Sequence, residues 1–369
     1  MKVSIGSKII NGPWGGGNLF VKNLSNYLIE KGHEVIYHLG DVNIDIILFT
    51  DPRSRKDSTS TFNHQDIEKY IKFVNNNVAV VQRINECDER KNTDFINQFY
   101  LQSTKVADKV VFVSSWLEKI YLNLGLDSKK TKVILSGSDS KIFNNENSSY
   151  WDGNEKIKLI THHWSSNHNK GFDTYLKIND LLNINKWKNI LEFTYIGNIS
   201  REYNLNNTTL INPLEGYELA NEIKKNHIYI TGSINEPSGN HHIEGAQCGL
   251  PLLYINSGGI PEYCDGFGES FTDDLESKLE KMINEYQVNK AKMEEYPFNA
   301  VKMCKNYLEL FENLNNEKVV IKEKINKNSF LKYLIIFKFR IRYLFLDHII
   351  YSIKEILNKQ LKLKLNKNA

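Results

Sequence analysis

Residues 227–262 read HIYITGSINEPSGNHHIEGAQCGLPLLYINSGGIPE. Residues 227–231 and 252–255 are rich in β-branched, aromatic and other apolar residues, which favours strands. Between them, residues 241–248 have the spacing of a short helix. A strand, a helix and a second strand in this order predict two parallel strands joined by a helical crossover.

The same alternation extends along most of the chain in two series, separated by a polar stretch at 140–155 that is rich in Asn, Ser and Asp. Such a stretch predicts a domain boundary. Strands of the first series are predicted at 3–10, 34–39, 44–50, 78–84, 109–114 and 132–135, and its helices at 19–30, 65–74, 95–107 and 116–124. Strands of the second series are predicted at 157–161, 191–196, 209–212, 227–231 and 252–255, and its helices at 171–183, 216–225 and 241–248. We therefore predict an α/β protein with two Rossmann-like, doubly wound domains facing a cleft, followed by a basic amphipathic helical tail.

Length and charge agree with this division. The chain has 369 residues, more than one hydrophobic core usually accommodates, and its 41% hydrophobic and 25% charged residues are ordinary for a globular protein. Residues 327–369 contain ten Lys or Arg against two acidic residues, a balance of +8, so the rest of the chain carries −5 of the total +3. The tail, and not the body, is therefore predicted to meet an acidic surface, and no nucleic-acid partner is expected.

The four cysteines are far apart and include no CxxC pair. The N-terminal MKVSIGSKII enters a strand-like run directly, without the long apolar segment of a signal peptide. Both observations indicate a reduced, cytoplasmic protein.

A glycine-rich loop follows the first predicted strand, where residues 11–18 read NGPWGGGN. Glycines at a helix entrance let backbone N–H groups approach a phosphate, although a tight strand-to-helix turn explains them equally well. The spacing differs from GxGxxG, which disfavours a nicotinamide cofactor, even though Asp41 stands where its ribose-binding acid is expected.

Two glutamates flank the start of a helix in the second series. Glu236 follows a strand, residues 238–240 open the helix, and Glu244 lies on it eight positions later. Two carboxylates beside a helix N-terminus suit a ligand with both hydroxyls and phosphates. Two solvated glutamates around a helix cap are the alternative.

This segment resembles the ExxxxxxxE signature of retaining family 4 glycosyltransferases, which have the GT-B fold, with GLP at 249–251 and GGIPE at 258–262 in the familiar positions. Further pieces similar to the same family occur in the family's order over about residues 1–315. They are GGG at 15–17, GHEV at 32–35, SSWL at 114–117, SGSD at 136–139 and KG at 170–171.

The resemblance implies a site between the domains, with a nucleotide-sugar-binding second domain at 156–297 and an acceptor-binding first domain at 1–140. Between and after them we expect a linker at 141–155, a helical region at 298–326 and the tail at 327–369. Glu236 is implied to be the catalytic residue near the anomeric carbon. The implied donor-binding residues are Gly16, Gly17 and Lys170 for the diphosphate, Ser238, Gly239, Asn240 and His241 for sugar hydroxyls and phosphates, and Glu244 for the ribose. Such enzymes use a nucleoside-diphosphate-sugar and require neither a metal nor another cofactor.

The chain departs from the family at two positions. Family members carry an Arg a few residues before the Lys, but residues 161–169, which precede Lys170, contain none. The first-domain strand has Gln82-Arg83 in place of a sugar-orienting His. Arg83 and Arg90 lie at the carboxyl end of that strand, facing the predicted cleft, so we hypothesise that one of them completes the diphosphate site. A surface cluster of ion pairs is an equally good explanation.

Two pairs of adjacent histidines, 162–163 and 241–242, raise the question of a metal. Neighbouring side chains diverge on both strands and helices, so neither pair chelates easily and no metal site is expected.

The tail interleaves apolar and aromatic residues with Lys and Arg from 329 to 365. Its apolar runs are too short to span a bilayer. The pattern predicts a peripheral, interfacial helix on an anionic membrane, while a helix docked on the body is the alternative.

Together these features predict a cytoplasmic glycosyltransferase, peripheral at the inner face of the membrane, that acts on a cell-surface glycan or lipid-linked precursor. A catalytically silent GT-B-fold scaffold and a nucleotide-sugar epimerase on the same fold are the alternatives.

Overall fold

The computed structural model describes residues 1–10, 12, 15–53, 58–320 and 329–343. These residues form two six-stranded, fully parallel sheets. The first has the order β2-β1-β3-β4-β5-β6 and consists of β1 (Lys2–Ile5), β2 (Glu34–Ile36), β3 (Ile46–Phe49), β4 (Ala79–Ile84), β5 (Lys109–Phe112) and β6 (Thr131–Val133). The second has the order β12-β11-β10-β7-β8-β9 and consists of β7 (Ile157–His163), β8 (Leu191–Gly197), β9 (Thr209–Ile211), β10 (Ile228–Thr231), β11 (Leu252–Ile255) and β12 (Gly268–Phe271).

Helices connect the strands of both sheets. In the first half they are α1 (Gly16–Glu30), α2 (His64–Phe73), α3 (Asp88–Lys91), α4 (Ile96–Ser103) and α5 (Ser115–Asn123). In the second half they are α6 (Phe172–Leu181), α7 (Asn185–Lys188), α8 (Gly216–Lys224), α9 (Asn240–Gln247), α10 (Pro261–Cys264), α11 (Leu275–Asn284), α12 (Tyr286–Lys292), α13 (Ala300–Val320) and α14 (Ser329–Ile341). The predicted α/β class with two doubly wound domains is confirmed.

The strands are apolar because helices cover both faces of each sheet. Every residue of β3 and β4 is buried, including Gln82 and Arg83. In the first domain, α1 and α13 pack on one face, and α2, α4 and α5 pack on the other. The helix α13 thus returns from the second domain to complete the core of the first.

Each domain has a topological switch point, where consecutive connections leave in opposite directions. In the second sheet the chain runs from β7 to β8 and β9 on one side, and from β10 to β12 on the other. In such sheets ligands bind beyond the carboxyl ends of the strands at the switch point. The loops after β7 and β10 are therefore the expected binding loops.

Most differences from the predicted elements lie at their ends. The strand predicted at 3–10 stops at Ile5, because the Ser7 N–H turns back onto the Ile5 carbonyl at 2.9 Å. The strand β12 was not predicted, since its sequence GESF contains a single strong β-former. All four cysteines are buried free thiols.

The first part of the predicted tail docks on the first domain through α14. Ile336 and Phe339 join its core, the Arg340 Nε donates to the Gly40 carbonyl at 2.5 Å, and Arg342 donates to both carboxylate oxygens of Asp66 at 3.1 and 2.9 Å. Residues 329–343 are thus docked on the body of the protein, which was the alternative to a membrane-bound helix. In the described part of the chain, no helix is both long enough and apolar enough to cross a bilayer. The rest of the predicted tail, at 344–369, lies outside the described residues, as do Asn11, Pro13 and Trp14 of the glycine loop.

Candidate functional site

Two helix N-termini face each other across the cleft. The helix α1 begins at Gly16 after β1, and α9 begins at Asn240 after β10. A methyl group added at Gly16 would lie 3.1 Å from the Asn240 side chain. Within the described residues no side chain caps either helix start, so backbone N–H groups and helix dipoles from both domains favour an anion here.

A charged cluster of three residues links the domains beside these helix starts. The Lys170 Nζ lies 2.9 Å from Oε2 of Glu236, and the Arg90 Nε lies 3.2 Å from the same oxygen. Lys170 follows β7 and Glu236 follows β10, whereas Arg90 belongs to α3, after β4 of the first domain. All three side chains are largely buried. The structure therefore brings together one carboxylate and two cations that are far apart in sequence.

The cluster fixes the charge of Glu236. Burial by itself would raise the pKa of this carboxyl, but the nearby charges of Lys170 and Arg90 outweigh burial and lower the pKa to about 2. Burial lowers the pKa of the Lys170 ammonium, and Glu236 opposes that shift. An ionised Glu236 and two cations give the cluster a net positive charge, which suits a diphosphate.

Local structure explains how Arg90 reaches across the cleft. The Asp88 carboxylate accepts hydrogen bonds from the N–H groups of Ile96 and Asn97 at 2.8 and 3.0 Å, which fixes the loop around α3. Asn169 then donates to the Arg90 carbonyl at 3.1 Å. Residues adjacent to the second-domain site thus hold the first-domain arginine in place.

A second hydrogen bond of the same kind lies next to it, where Asn235 donates to the Glu89 carbonyl at 3.2 Å. Asn169 precedes Lys170 and Asn235 precedes Glu236, so each charged residue of the second domain has a neighbouring amide that bridges the cleft.

The other candidate cation, Arg83, remains within the first domain. Its guanidinium lies 4.1 Å from the ring centroid of Phe20, and the side chain is buried. The structure brings Arg90, and not Arg83, to Lys170 and Glu236. The neighbouring Gln82 donates to the Ser103 hydroxyl at 2.6 Å.

Glycines shape the loop that carries Glu236. Gly239, the residue before α9, has φ +79°, which favours glycine. A methyl group added at Gly258, with φ +65°, would lie 2.6 Å from the backbone of Glu236. The Gly259 N–H donates to the Glu236 carbonyl at 2.8 Å. The glycine pair at 258–259 therefore supports the Glu236 backbone by close approach.

The second glutamate, Glu244, is buried one turn into α9. Its Oε2 lies 2.8 Å from the Nε2 of His162, whose Nδ1 lies 3.0 Å from the Tyr229 hydroxyl. His162 is a partner that the sequence analysis did not assign.

Three other histidines lie beside this pair. His241 is hydrogen bonded to the Thr231 hydroxyl at 2.8 Å. Burial lowers the pKa of His163 and His241 well below the usual value and that of His242 to about 3, so all three are neutral at pH 7. Among the described residues, no group of three or more His, Cys, Asp or Glu side chains is arranged to hold a metal ion.

A further contact across the cleft was not predicted from the sequence. The Glu262 carboxylate accepts hydrogen bonds from the N–H groups of Ser115 and Trp116 at 2.8 and 2.9 Å, at the start of α5 in the first domain. The adjacent Tyr263 hydroxyl donates to the Val113 carbonyl. Both ends of this contact lie in the motifs SSWL and GGIPE, but nothing in either motif indicates that they meet.

No family model matches the sequence, and no curated protein matches it significantly. Solved structures are similar in fold. Sucrose-phosphate synthase from Thermosynechococcus elongatus is 14% identical with a TM-score of 0.61, over 86% of this chain and 99% of that one. HepE from Anabaena, in complex with UDP and glucose, is 13% identical with a TM-score of 0.58, over 84% and 99%. The apo form of the lipopolysaccharide outer core galactosyltransferase WaaB is 11% identical with a TM-score of 0.60, over 85% and 100%. These likenesses establish the GT-B fold.

Proposed function

We propose that this chain is a retaining glycosyltransferase of family 4 type, which transfers a hexose or related sugar from a nucleoside-diphosphate-sugar to an acceptor. The observation that carries the proposal is the cluster of Lys170, Arg90 and Glu236 beside two converging helix N-termini. This arrangement suits a ligand with a diphosphate at one end and hydroxyls next to it.

The diphosphate takes the positive end of the site. Lys170 and Arg90 bind its oxygens, and the N–H groups at the starts of α1 and α9 supply further donors. Arg90 thereby replaces the arginine that the family carries before its lysine. Because the cations and N–H groups stabilise the departing charge, the reaction needs neither a metal nor another cofactor.

Glu236 acts at the sugar end. When the diphosphate binds Lys170 and Arg90, the Glu236 carboxylate is released to accept hydrogen bonds from sugar hydroxyls near the anomeric carbon. The bond from that carbon to the phosphate oxygen breaks, a bond to the acceptor hydroxyl forms, and the acceptor proton passes to the departing diphosphate. We assign Ser238 to His241 to the sugar and phosphates, and Glu244 to the ribose.

The acceptor enters from the first domain. We propose a cell-surface glycan or lipid-linked precursor in polysaccharide biosynthesis, handled in the cytoplasm, where the buried thiols stay reduced. The solved complexes of HepE with UDP and with UDP-glucose make uridine donors the first to test.

The proposal is tested with a panel of UDP-, GDP-, ADP- and TDP-sugars. Ligands are ranked by thermal shift, because a ligand that binds only the folded state raises its stability. Release of nucleoside diphosphate is then measured against glycosylated acceptor. An epimerase changes the sugar without releasing diphosphate, and a scaffold binds without turnover.

The variant Glu236→Gln separates catalysis from binding. We expect turnover to fall by about a hundredfold or more, while nucleoside diphosphate affinity holds or rises, since an amide competes less for Lys170 and Arg90. The control is Glu269→Gln on the edge strand β12, where the carboxylate binds Lys281 at 2.7 Å. Full turnover in Glu236→Gln would contradict the catalytic assignment.

A dinucleotide site in the first domain has less support. Asp41, which would bind the ribose, accepts a hydrogen bond from the Lys2 ammonium at 2.8 Å. Gly16, at the end of the glycine-rich segment, lies beside Asn240 of the second domain.

A further inference from the structure

The docked helix α14 carries an exposed apolar strip. Phe330, Tyr333, Leu334 and Phe337 are 77%, 64%, 52% and 62% exposed. Their spacing of three, four and seven residues from Phe330 places them on one side of a helix. A continuous group of exposed, large apolar side chains marks an interaction surface, whereas single exposed apolar residues are ordinary.

The opposite side of α14 is held by specific contacts. Ile336 and Phe339 are buried in the first-domain core, and Arg340 and Arg342 are hydrogen bonded to Gly40 and Asp66. The helix therefore has a defined orientation on the body. Its strip is directed outward by this docking.

Charge indicates what the strip meets. Residues 329–343 contain no Asp or Glu, and Lys332 and Lys338 lie on the same helix as the strip. The segment from 327 to the C-terminus has ten basic and two acidic residues, whereas the rest of the chain is net acidic. Exposed apolar side chains on a helix that carries cations and no acidic residue complement both the acyl chains and the headgroups of an anionic bilayer.

We propose that α14 seats this protein on an anionic membrane, with the helix parallel to the surface and the strip from Phe330 to Phe337 in the headgroup region. The first domain, to which α14 is docked, then faces the bilayer. This inference goes beyond glycosyl transfer, because membrane binding requires neither donor nor acceptor.

Flotation of the full chain with lipid vesicles tests the proposal. The vesicles are phosphatidylglycerol mixed with phosphatidylcholine, or phosphatidylcholine alone. We expect flotation with the anionic vesicles, weakened by high salt. The double variant Leu334→Glu with Phe337→Glu is expected to bind about tenfold less or weaker still, because two inserted apolar side chains are lost.

The matched control is Tyr217→Glu with Val288→Glu, since these second-domain residues are similarly exposed at 63% and 60%. It should float like the wild type. The milder pair Phe330→Ser with Tyr333→Ser gives a second reading if the glutamate variant does not fold, as judged by circular dichroism.

Three results would overturn the proposal. The first is a wild-type chain that does not float, and the second is strip variants that float as well as the wild type. The third is a wild-type dimer, measured by light scattering, that dissociates in the strip variants while vesicles recover no protein. None of these results bears on donor turnover in solution, so failure of this inference is separate from failure of the proposed function.

Discussion

At the scale of single residues, Glu236 and Glu244 are both buried and only eight positions apart, yet their surroundings differ. Two cations surround Glu236, whereas Glu244 contacts a histidine. A carboxylate between Lys170 and Arg90 stays ionised, and its partners are the groups that a diphosphate also seeks. Glu236 therefore keeps the cations together, and under the proposed function the donor diphosphate replaces it.

Removal of Arg90 should weaken the diphosphate site. In Arg90→Ala, we expect the affinity for the best-binding nucleoside diphosphate to fall about tenfold, because one charged hydrogen-bond donor is lost. Calorimetric titration measures this. The neighbouring variant Lys91→Ala is the control, since Lys91 is half-exposed and pairs with Glu86 at 3.3 Å. If Arg90→Ala and Arg83→Ala both leave the affinity unchanged, the first-domain arginines do not contribute to the site.

The buried histidines make stability depend on pH. His242 has a pKa of about 3 in the folded protein against an ordinary value of 6.5, so below about pH 6.5 the unfolded chain binds a proton that the folded chain does not. The free energy of unfolding therefore decreases as pH falls, by up to about 1.4 kcal/mol per pH unit for each such histidine.

Thermal unfolding of wild type and His242→Gln, compared between about pH 7 and about pH 5, measures this contribution. The melting temperature of the variant should decrease less than that of the wild type between these two pH values. Equal losses would show that His242 is protonated in the folded state.

At the scale of structural elements, the loops after β7, β10 and β11 form one unit around Glu236. Gly171 packs against Gly232, and Gly258 and Gly259 pack against the Glu236 loop. Glycine is required at these positions because neighbouring backbones leave no room for a methyl group, which is a packing requirement as much as a conformational one.

The variant Gly258→Ala tests this close approach. Its methyl group would lie 2.6 Å from the Glu236 backbone, so we expect a loss of about 1–3 kcal/mol in stability and a larger relative loss of turnover. Gly266→Ala is the matched control, because Gly266 has φ +87° with nothing within 4 Å of an added methyl group. Circular dichroism melts and donor turnover compare the two. Similar turnover in both variants would mean that the Gly258 contact does not position Glu236.

At the scale of the whole molecule, hydrogen bonds across the cleft set the angle between the domains. Glu262 binds the start of α5, and Asn169 and Asn235 bind carbonyl groups of the first domain. The site is complete only when these contacts form, since Arg90 and Gly16 belong to one domain and Lys170 and Glu236 to the other. Binding of the proposed donor is therefore expected to be coupled to domain closure.

Glu262→Ala should loosen the closed arrangement. We expect a larger radius of gyration by small-angle X-ray scattering and a higher donor KM, with unchanged secondary structure, because two N–H groups of α5 lose their acceptor. The control is Glu218→Ala, which removes an exposed carboxylate of the second domain. An unchanged KM and radius of gyration would assign Glu262 to capping of α5 alone.

The sequence by itself determined the two doubly wound domains and the segment that forms the site, because strand and helix periodicity and the glutamate spacing are local patterns. It also indicated Arg83 and Arg90 as candidates to complete the diphosphate site, with a cluster of ion pairs as the alternative. Only the tertiary structure brought Arg90 to Glu236, paired Glu244 with His162, and brought Glu262 to α5. These contacts join residues 82 to 147 positions apart, and no local pattern encodes them. The same reason applies to α14, since its apolar spacing is the same for a docked helix and a membrane-bound helix. Only the packing of α14 against the first domain determines which side of this helix faces outward.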